Sequence, residues 1–180
     1  MKKNVFYILR LSLTLLIITS AVAALLALVN LITAPVIAQS KEEKLRQAIE
    51  TVLPGGGESV PFTDTTGLVQ NLYASPTGYA AEVTPSGFDG QITMMVGMDT
   101  EGKVTAIEII SHTETAGLGA VAAADNAKGN AFRNQFAGMS GSLAVTKDGG
   151  TVDAISGATI TSRAVTEGVN AALACVAAQN

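Results

Sequence analysis

The sequence predicts an α+β domain, an antiparallel sheet with flanking helices, preceded by one N-terminal transmembrane helix. Three observations support this fold class. The 19 residues of Leu11–Val29 carry no charge. Strand-like runs follow in the middle of the chain, and a short turn at 99–102 joins two of them. Residues 162–178 then place apolar side chains at helical spacing. Because short turns, and not helices, join the strands, we expect antiparallel pairing.

The uncharged run is long enough to cross a membrane. About 20 apolar residues span the hydrocarbon core as a helix, whereas a signal peptide has an apolar region of roughly 7–15 residues. We therefore expect a retained anchor, although Val36-Ile37-Ala38 has the spacing of a cleavage site. Lys2, Lys3 and Arg10 precede the run, so the positive-inside rule predicts a cytoplasmic N-terminus. The expected location is the cell (inner) membrane, crossed once, in contact with lipid.

The charge balance excludes some classes of protein. Residues 41–180 contain eight basic and 15 acidic residues, a net charge of −7. A domain this acidic is a poor nucleic-acid binder, because phosphate binding needs clustered Lys and Arg. The single histidine excludes most His-rich metal sites, and we predict no metal site. The single cysteine, Cys175, permits no internal disulfide and is expected to be a small buried residue.

Three segments are expected along the chain. Residues 1–38 form the cytoplasmic N-terminus and anchor, residues 39–57 a juxtamembrane amphipathic helix and Gly linker, and residues 58–180 the extracytoplasmic domain. Pro35 is expected to kink or end the span. Ser40-Lys41-Glu42-Glu43 has the pattern of a capping box that starts a new helix. That helix is either a stalk or the first helix packed on the domain, and the sequence leaves both open.

The domain itself is predicted as a meander followed by helices. Strands are expected at Tyr79–Val83, Ile92–Met98 and Val104–Ile110, with a further possible strand at Leu143–Thr146. Helices are expected at Ala120–Ala127, Asn130–Phe136 and Ser162–Ala178.

The stretch from Asp153 to Ser162 gathers hydroxyl side chains at the entrance of the last helix. Thr161 or Ser162 is expected to cap that helix. Thr159 would then lie just before the helix N-terminus, where backbone N–H groups and the dipole favour an anion. Gly157 and Ala158 would leave room for it. Taken alone, these residues favour an ordinary turn and helix cap.

A second polar loop, His112–Gly119, directly follows a predicted strand. Its two glycines, Gly117 and Gly119, permit close approach of the backbone to a ligand. Glu114 and Thr115 offer polar groups to the edge of such a ligand. A solvated loop with a surface histidine is the alternative interpretation.

Two other site patterns are weak in this sequence. The Gly117–Ala122 string matches GxGxxA, but five loop residues separate it from the strand, and no acid lies in residues 136–147. A Ser156–His112–Asp153 arrangement lacks the G-x-S-x-G elbow of such hydrolases. Neither a dinucleotide fold nor a serine hydrolase is predicted.

Taken in order, the motifs resemble a known family. A span, a meander, the His112–Gly119 loop, the segment Phe132–Gly138 and the Asp153–Thr159 motif follow one another. This order resembles the FMN-binding domain family, and within it the G subunits of Rnf ion-translocating electron-transport complexes. The length of 180 residues favours the Rnf type over the C subunit of the sodium-translocating NADH:quinone reductase, which is usually longer. Ala116 departs from the Pro common in the family.

The resemblance implies a covalent cofactor and its contact residues. FMN would be linked as a phosphoester to Thr159, and a separate flavin transferase would attach it from FAD with a divalent metal. A separate enzyme is needed because a threonine hydroxyl is a weak nucleophile unless activated. The implied cofactor-binding residues in the two motifs are Thr159, Ser156, Gly157, Ala158, Thr161, Glu114, Thr115, Gly117 and Leu118.

The resemblance also implies a function. The chain would be an electron-carrier subunit, not a catalyst by itself, in a complex that couples ferredoxin oxidation and NAD+ reduction to ion pumping. Its partners would be the other membrane and peripheral subunits. The alternatives are a C-type subunit of the sodium-translocating reductase, a stand-alone surface FMN carrier, and an anchored structural or sensory domain without cofactor.

Overall fold

The computed structural model describes the backbone of residues 2–179 and the side chains of residues 8–179. Lys2 and Lys3, which support the expected membrane orientation, therefore lie outside the described side chains. The chain divides into two compact units, Met1–Glu43 and Lys44–Asn180, and each is described by itself.

The first unit is the greater part of helix α1 (Lys2–Val52). Among the described residues, α1 is the one helix long and apolar enough to cross a membrane, with a mean hydropathy of 2.6 over its most apolar window. Its large apolar side chains are exposed, Leu16 and Leu26 by more than 60%. Lipid-facing side chains and internally satisfied backbone groups are what a spanning helix requires. This confirms the predicted N-terminal helix of membrane-spanning length.

Pro35 lies inside α1 and does not end it, so of the two expected effects of this proline the helix end is wrong. The expected helix start at Ser40 is also wrong, because Ser40 lies in the helix interior. Proline costs one backbone hydrogen bond and roughly 3 kcal/mol. The residues that follow it include Ala38, Lys41–Lys44 and Leu45, which are strong helix formers, so the helix continues. A capping box acts only where a helix begins.

The last turns of α1, from Lys44, belong to the second unit. Ala48, Val52 and Leu53 are at most 3% exposed and form a cluster with Ala80 and Met95 of the sheet. Of the two alternatives, this segment is therefore the first helix packed on the domain.

The second unit contains a five-stranded antiparallel meander within the described residues. Its strands are β1 (Glu58–Val60), β2 (Val69–Ser75), β3 (Gly78–Val83), β4 (Thr93–Asp99) and β5 (Val104–Ser111), ordered as in the chain. The predicted strands match β3, β4 and β5, whereas β1 and β2 were not predicted. The α+β fold class is confirmed.

Helix α3 (Thr159–Ala177) covers the sheet face opposite to the end of α1. Val165 and Val169 pack in one cluster with Met94 and Val96, whereas Met95 belongs to the cluster around Val52. Successive strand residues point to opposite faces, so β4 is buried on both. Cys175 of α3 is 2% exposed, as expected, and its burial raises the pKa of the thiol.

The connections between β5 and α3 differ from prediction. A 3-10 turn at Gly119–Ala123 and α2 (Ala127–Asn134) replace the two predicted helices. The predicted strand at Leu143–Thr146 is wrong. Val145 makes a single parallel bridge with Val152, and a 3-10 turn at Thr146–Asp148 follows, so the segment is too short to extend the sheet.

Candidate functional site

Thr159 is the first residue of helix α3, and Ala158 is its N-cap. The expected cap at Thr161 or Ser162 is wrong, because Ser162 Oγ serves the preceding turn. It accepts from the Ile155 N–H at 3.0 Å and donates to the Ala158 carbonyl at 2.9 Å. These bonds start the helix at Thr159 and fix the turn that leads to it.

A cavity of about 300 Å³ opens beside Thr159. It is lined by Phe88, Glu114, Thr115, Leu118, Gly119, Lys147, Gly157, Ala158, Thr159, Ile160 and Thr161. The structure thus brings the two sequence motifs together around one space. Seven of the nine cofactor-binding residues that the family resemblance implies are in this lining.

The other two residues, Ser156 and Gly117, line a separate cavity of about 560 Å³ that also includes Asp153 and Phe132. His112 lines neither cavity, so Ser156, His112 and Asp153 do not share one site. His112 is not a fully exposed surface residue either. Its Nδ1 atom is buried and has no hydrogen-bond partner among the described residues.

Glu114 joins three segments at the base of the first cavity. The side chain is 7% exposed. Its Oε1 accepts from the backbone N–H groups of Phe88 and Asp89 at 2.8 and 3.1 Å. Its Oε2 accepts from Thr161 Oγ1 at 2.5 Å. Because both oxygens already hold internal bonds, Glu114 positions the walls of the cavity.

Two glycines make room for this carboxylate. A methyl group at Gly119 would collide with Glu114 and with the Thr161 hydroxyl, and one at Gly87 would collide with Glu114 Oε1. Gly119 belongs to the loop found in the sequence. Gly87 lies in another segment, and nothing in the sequence links it to Glu114.

Lys147 contacts Thr159, the residue implied to carry FMN, directly. Its Nζ donates to Thr159 Oγ1 at 3.0 Å. The neighbouring Asp148 accepts from Nε and Nη2 of Arg163, both at 2.6 Å. The hydrogen bond from Arg163 holds the pKa of the Asp148 carboxyl below its ordinary value. Sequence reasoning missed Lys147, since no spacing rule relates it to a residue twelve positions later.

Two family models match this chain, one in the N-terminal region and one in the domain. The model of the FMN-binding domain matches residues 87–174, which include every residue that lines the first cavity. The model of the RnfG N-terminal region matches residues 1–52. The G subunit of an ion-translocating oxidoreductase complex from Methanosarcina acetivorans is 32% identical, over 92% of this chain and 93% of its own.

The chain belongs to the family of Rnf complex G subunits. Two further family members are the G subunits of the Na+-translocating ferredoxin:NAD+ oxidoreductase complex of Acetobacterium woodii and of the proton-translocating complex of Clostridium ljungdahlii. The first is 32% identical over 89% of this chain and 87% of its own, and the second 35% over 83% and 80%. These findings confirm the resemblance and favour the Rnf type over the C-type subunit.

The cavity of this G-subunit family member suits FMN chemically. At its rim, Phe88, Leu118 and Ile160 are 67%, 45% and 49% exposed, an apolar surface for a flat ring system. The first turn of α3 and the Lys147 ammonium, which line the same cavity, favour a phosphate. The match to the FMN-binding domain supports FMN as the cofactor.

Proposed function

We propose that the chain is the electron-transfer subunit of an Rnf-type ion-translocating ferredoxin:NAD+ oxidoreductase complex, with FMN linked by a phosphoester to Thr159. The observation that carries this proposal is the position of Thr159. Its half-buried side chain lines the cavity from the first residue of α3, in the region that matches the FMN-binding domain.

The chain's residues divide between the two ends of the cofactor. The phosphate end lies at the start of α3, where the first N–H groups of a helix have no intrahelical acceptor. Gly157 and Ala158 leave the approach to Thr159 open. Leu118 and Phe88, which line the same cavity, would hold the ring end, and Thr115 would offer a hydroxyl to its polar edge. FMN, when bound, supplies the redox chemistry, and the protein supplies position and electrostatics.

Attachment requires a separate flavin transferase. Thr159 Oγ1 bonds to the FMN phosphorus of FAD, the pyrophosphate bond breaks, AMP leaves and the hydroxyl proton passes to solvent. Thr161 is a poorer acceptor, because it is 1% exposed and its hydroxyl is bonded to Glu114. The divalent metal for this step belongs to the transferase.

The proposed partners are the other membrane and peripheral subunits of the complex. The relatives named above include one sodium-translocating and one proton-translocating complex, at similar identity. Similarity to them therefore supports an ion-translocating complex without selecting the ion. The acidic domain is proposed to lie outside the cytoplasm, as the charges before the span indicate.

Co-expression of the full chain with a flavin transferase tests the covalent link. We expect a yellow, fluorescent band on a denaturing gel for the wild type and for Thr161→Val. Thr159→Ala should give a folded, colourless protein. A fluorescent Thr159→Ala band would contradict the acceptor, and a colourless wild type would support the cofactor-free alternative. Co-purification in mild detergent then separates a complex subunit from a stand-alone carrier.

A further inference from the structure

Lys147 lies at the proposed acceptor although it belongs to neither sequence motif. Its Nζ is 3.0 Å from Thr159 Oγ1, and the side chain lines the same cavity. An ammonium group has three donors and no acceptor, so the threonine oxygen must accept this hydrogen bond. The hydroxyl proton of Thr159 is therefore directed away from Lys147 and remains available for removal.

Backbone contacts hold the turn that carries Lys147. Thr146 N–H donates to the Val152 carbonyl at 2.8 Å, and Asp148 N–H donates to the Val145 carbonyl at 2.8 Å. Gly149 closes the turn with a φ of 84°, which glycine adopts without strain. The backbone of Lys147 is thus fixed between two bonded neighbours.

An ion pair docks the same turn on helix α3. The Asp148 carboxylate binds Arg163 through two hydrogen bonds. Arg163 is four residues after Thr159, so both lie on one face of α3. Asp148 is turned toward Arg163, and no carboxylate lies within 4.0 Å of Lys147 Nζ among the described side chains. The Lys147 side chain thus lines the cavity without a paired carboxylate in the described part of the chain, although, besides the hydrogen bond from Arg163, its charge also lowers the pKa of the neighbouring Asp148.

We propose that Lys147 is the positioning residue for the phosphoester, orienting Thr159 Oγ1 during attachment and pairing with the phosphate afterwards. This inference rests on the proposed function. A charge-assisted hydrogen bond from an ammonium to a phosphate oxygen is stronger than a neutral one. The same lysine would thus act on the free hydroxyl and on the product.

A time course of attachment tests this role. Purified full-length chain in detergent is incubated with transferase and FAD, and the modified fraction is measured by intact mass. We expect Lys147→Met to be modified about tenfold or more slowly than wild type, and Lys147→Arg to recover most of the rate. Lys103→Met removes an equal charge from the exposed β4–β5 turn and should match wild type.

A second measurement separates positioning from folding. Circular dichroism should show equal folding in all variants. The ³¹P resonance of the phosphoester, recorded on protein modified to completion, should shift in Lys147→Met and not in Lys103→Met.

Three outcomes overturn the inference in different ways. If Thr159→Ala stays unmodified while Lys147→Met matches wild type in rate, Lys147 has no such role and the proposed function stands. An Arg variant as slow as the Met variant likewise overturns the charge role. If Thr159→Ala is modified, the proposed function fails and this inference fails with it.

Discussion

At the residue scale, Glu114 holds together the segments that shape the cavity. Its carboxylate accepts hydrogen bonds from two backbone N–H groups and from Thr161. Removal of the carboxylate leaves these donors without an acceptor, and an unpaired buried polar group costs about 1–3 kcal/mol. The side chain is therefore more important for the shape of the site than for direct contact with a ligand.

We expect Glu114→Ala to lower the free energy of unfolding by about 3 kcal/mol or more, because several donors lose their partner. Glu114→Gln keeps an acceptor for the two N–H groups and should cost about 1 kcal/mol. Urea denaturation of both variants checks this order. Equal stability of Glu114→Ala and wild type would show that the carboxylate does not support the site.

The sequence predicted the residues that belong to a contiguous motif and missed those that approach from elsewhere. Thr159 and Leu118 were found because each lies in a short, recognisable pattern. Lys147 and Phe88 were missed, because their contact with the cavity depends on how distant segments fold together. Such contacts are set by tertiary structure, and spacing along the chain carries no sign of them.

At the scale of elements, the packing of α1 on β4 depends on a glycine. A methyl group at Gly97 would collide with the Val52 carbonyl and side chain and with Thr105 Oγ1, which itself donates to that carbonyl at 3.0 Å. Backbone atoms cannot move aside as a flexible side chain does. The close approach of helix and strand therefore requires glycine here.

Gly97→Ala should lower the free energy of unfolding by about 1–3 kcal/mol through overpacking. Gly168→Ala, on the opposite face of the sheet, is the matched control. Its methyl would meet only side-chain atoms, at 3.0 Å or more, and alanine favours the helix by about 1 kcal/mol, so little net change is expected. Thermal unfolding of both variants provides the measurement, and a larger loss for Gly168→Ala would contradict this packing.

Strands β3, β4 and β5 were predicted because each is a continuous run of mostly apolar residues, and a short turn joins β4 to β5. Strand β2 escaped prediction, since Gln70 and Asn71 interrupt its apolar pattern. The predicted last helix begins at Ser162, three residues after the observed start of α3 at Thr159. Ser162 resembled a cap, but its hydroxyl bonds to the preceding turn instead.

At the scale of the whole molecule, the second unit includes the end of the anchor helix. A chain that begins at Lys44 retains Ala48, Val52 and Leu53, whereas one that begins at Pro54 loses them. We expect the longer form to be more stable by roughly 3–5 kcal/mol, from the burial of these apolar side chains. Urea denaturation of the two soluble forms measures the difference. Equal stability would mean that this segment is only a stalk.

Reporter fusions test the expected orientation, in which the domain lies outside the cytoplasm. Alkaline phosphatase, which is active only outside the cytoplasm, is fused after Asn180 and compared with a green fluorescent protein fusion. Because positive charges precede the span, we predict an active phosphatase and a dark fluorescent protein in a Gram-negative host that exports both through the general secretory route. The reverse pattern would place the domain in the cytoplasm.

The most direct test of the central claim is fragmentation of one tryptic peptide. Cleavage after Lys147 and Arg163 releases residues 148–163, which contain Thr159, Thr161 and Ser156. From protein matured with the transferase, we predict that the mass of FMN less one water is carried by Thr159. The same mass on Thr161 or Ser156, or an unmodified peptide, would contradict it.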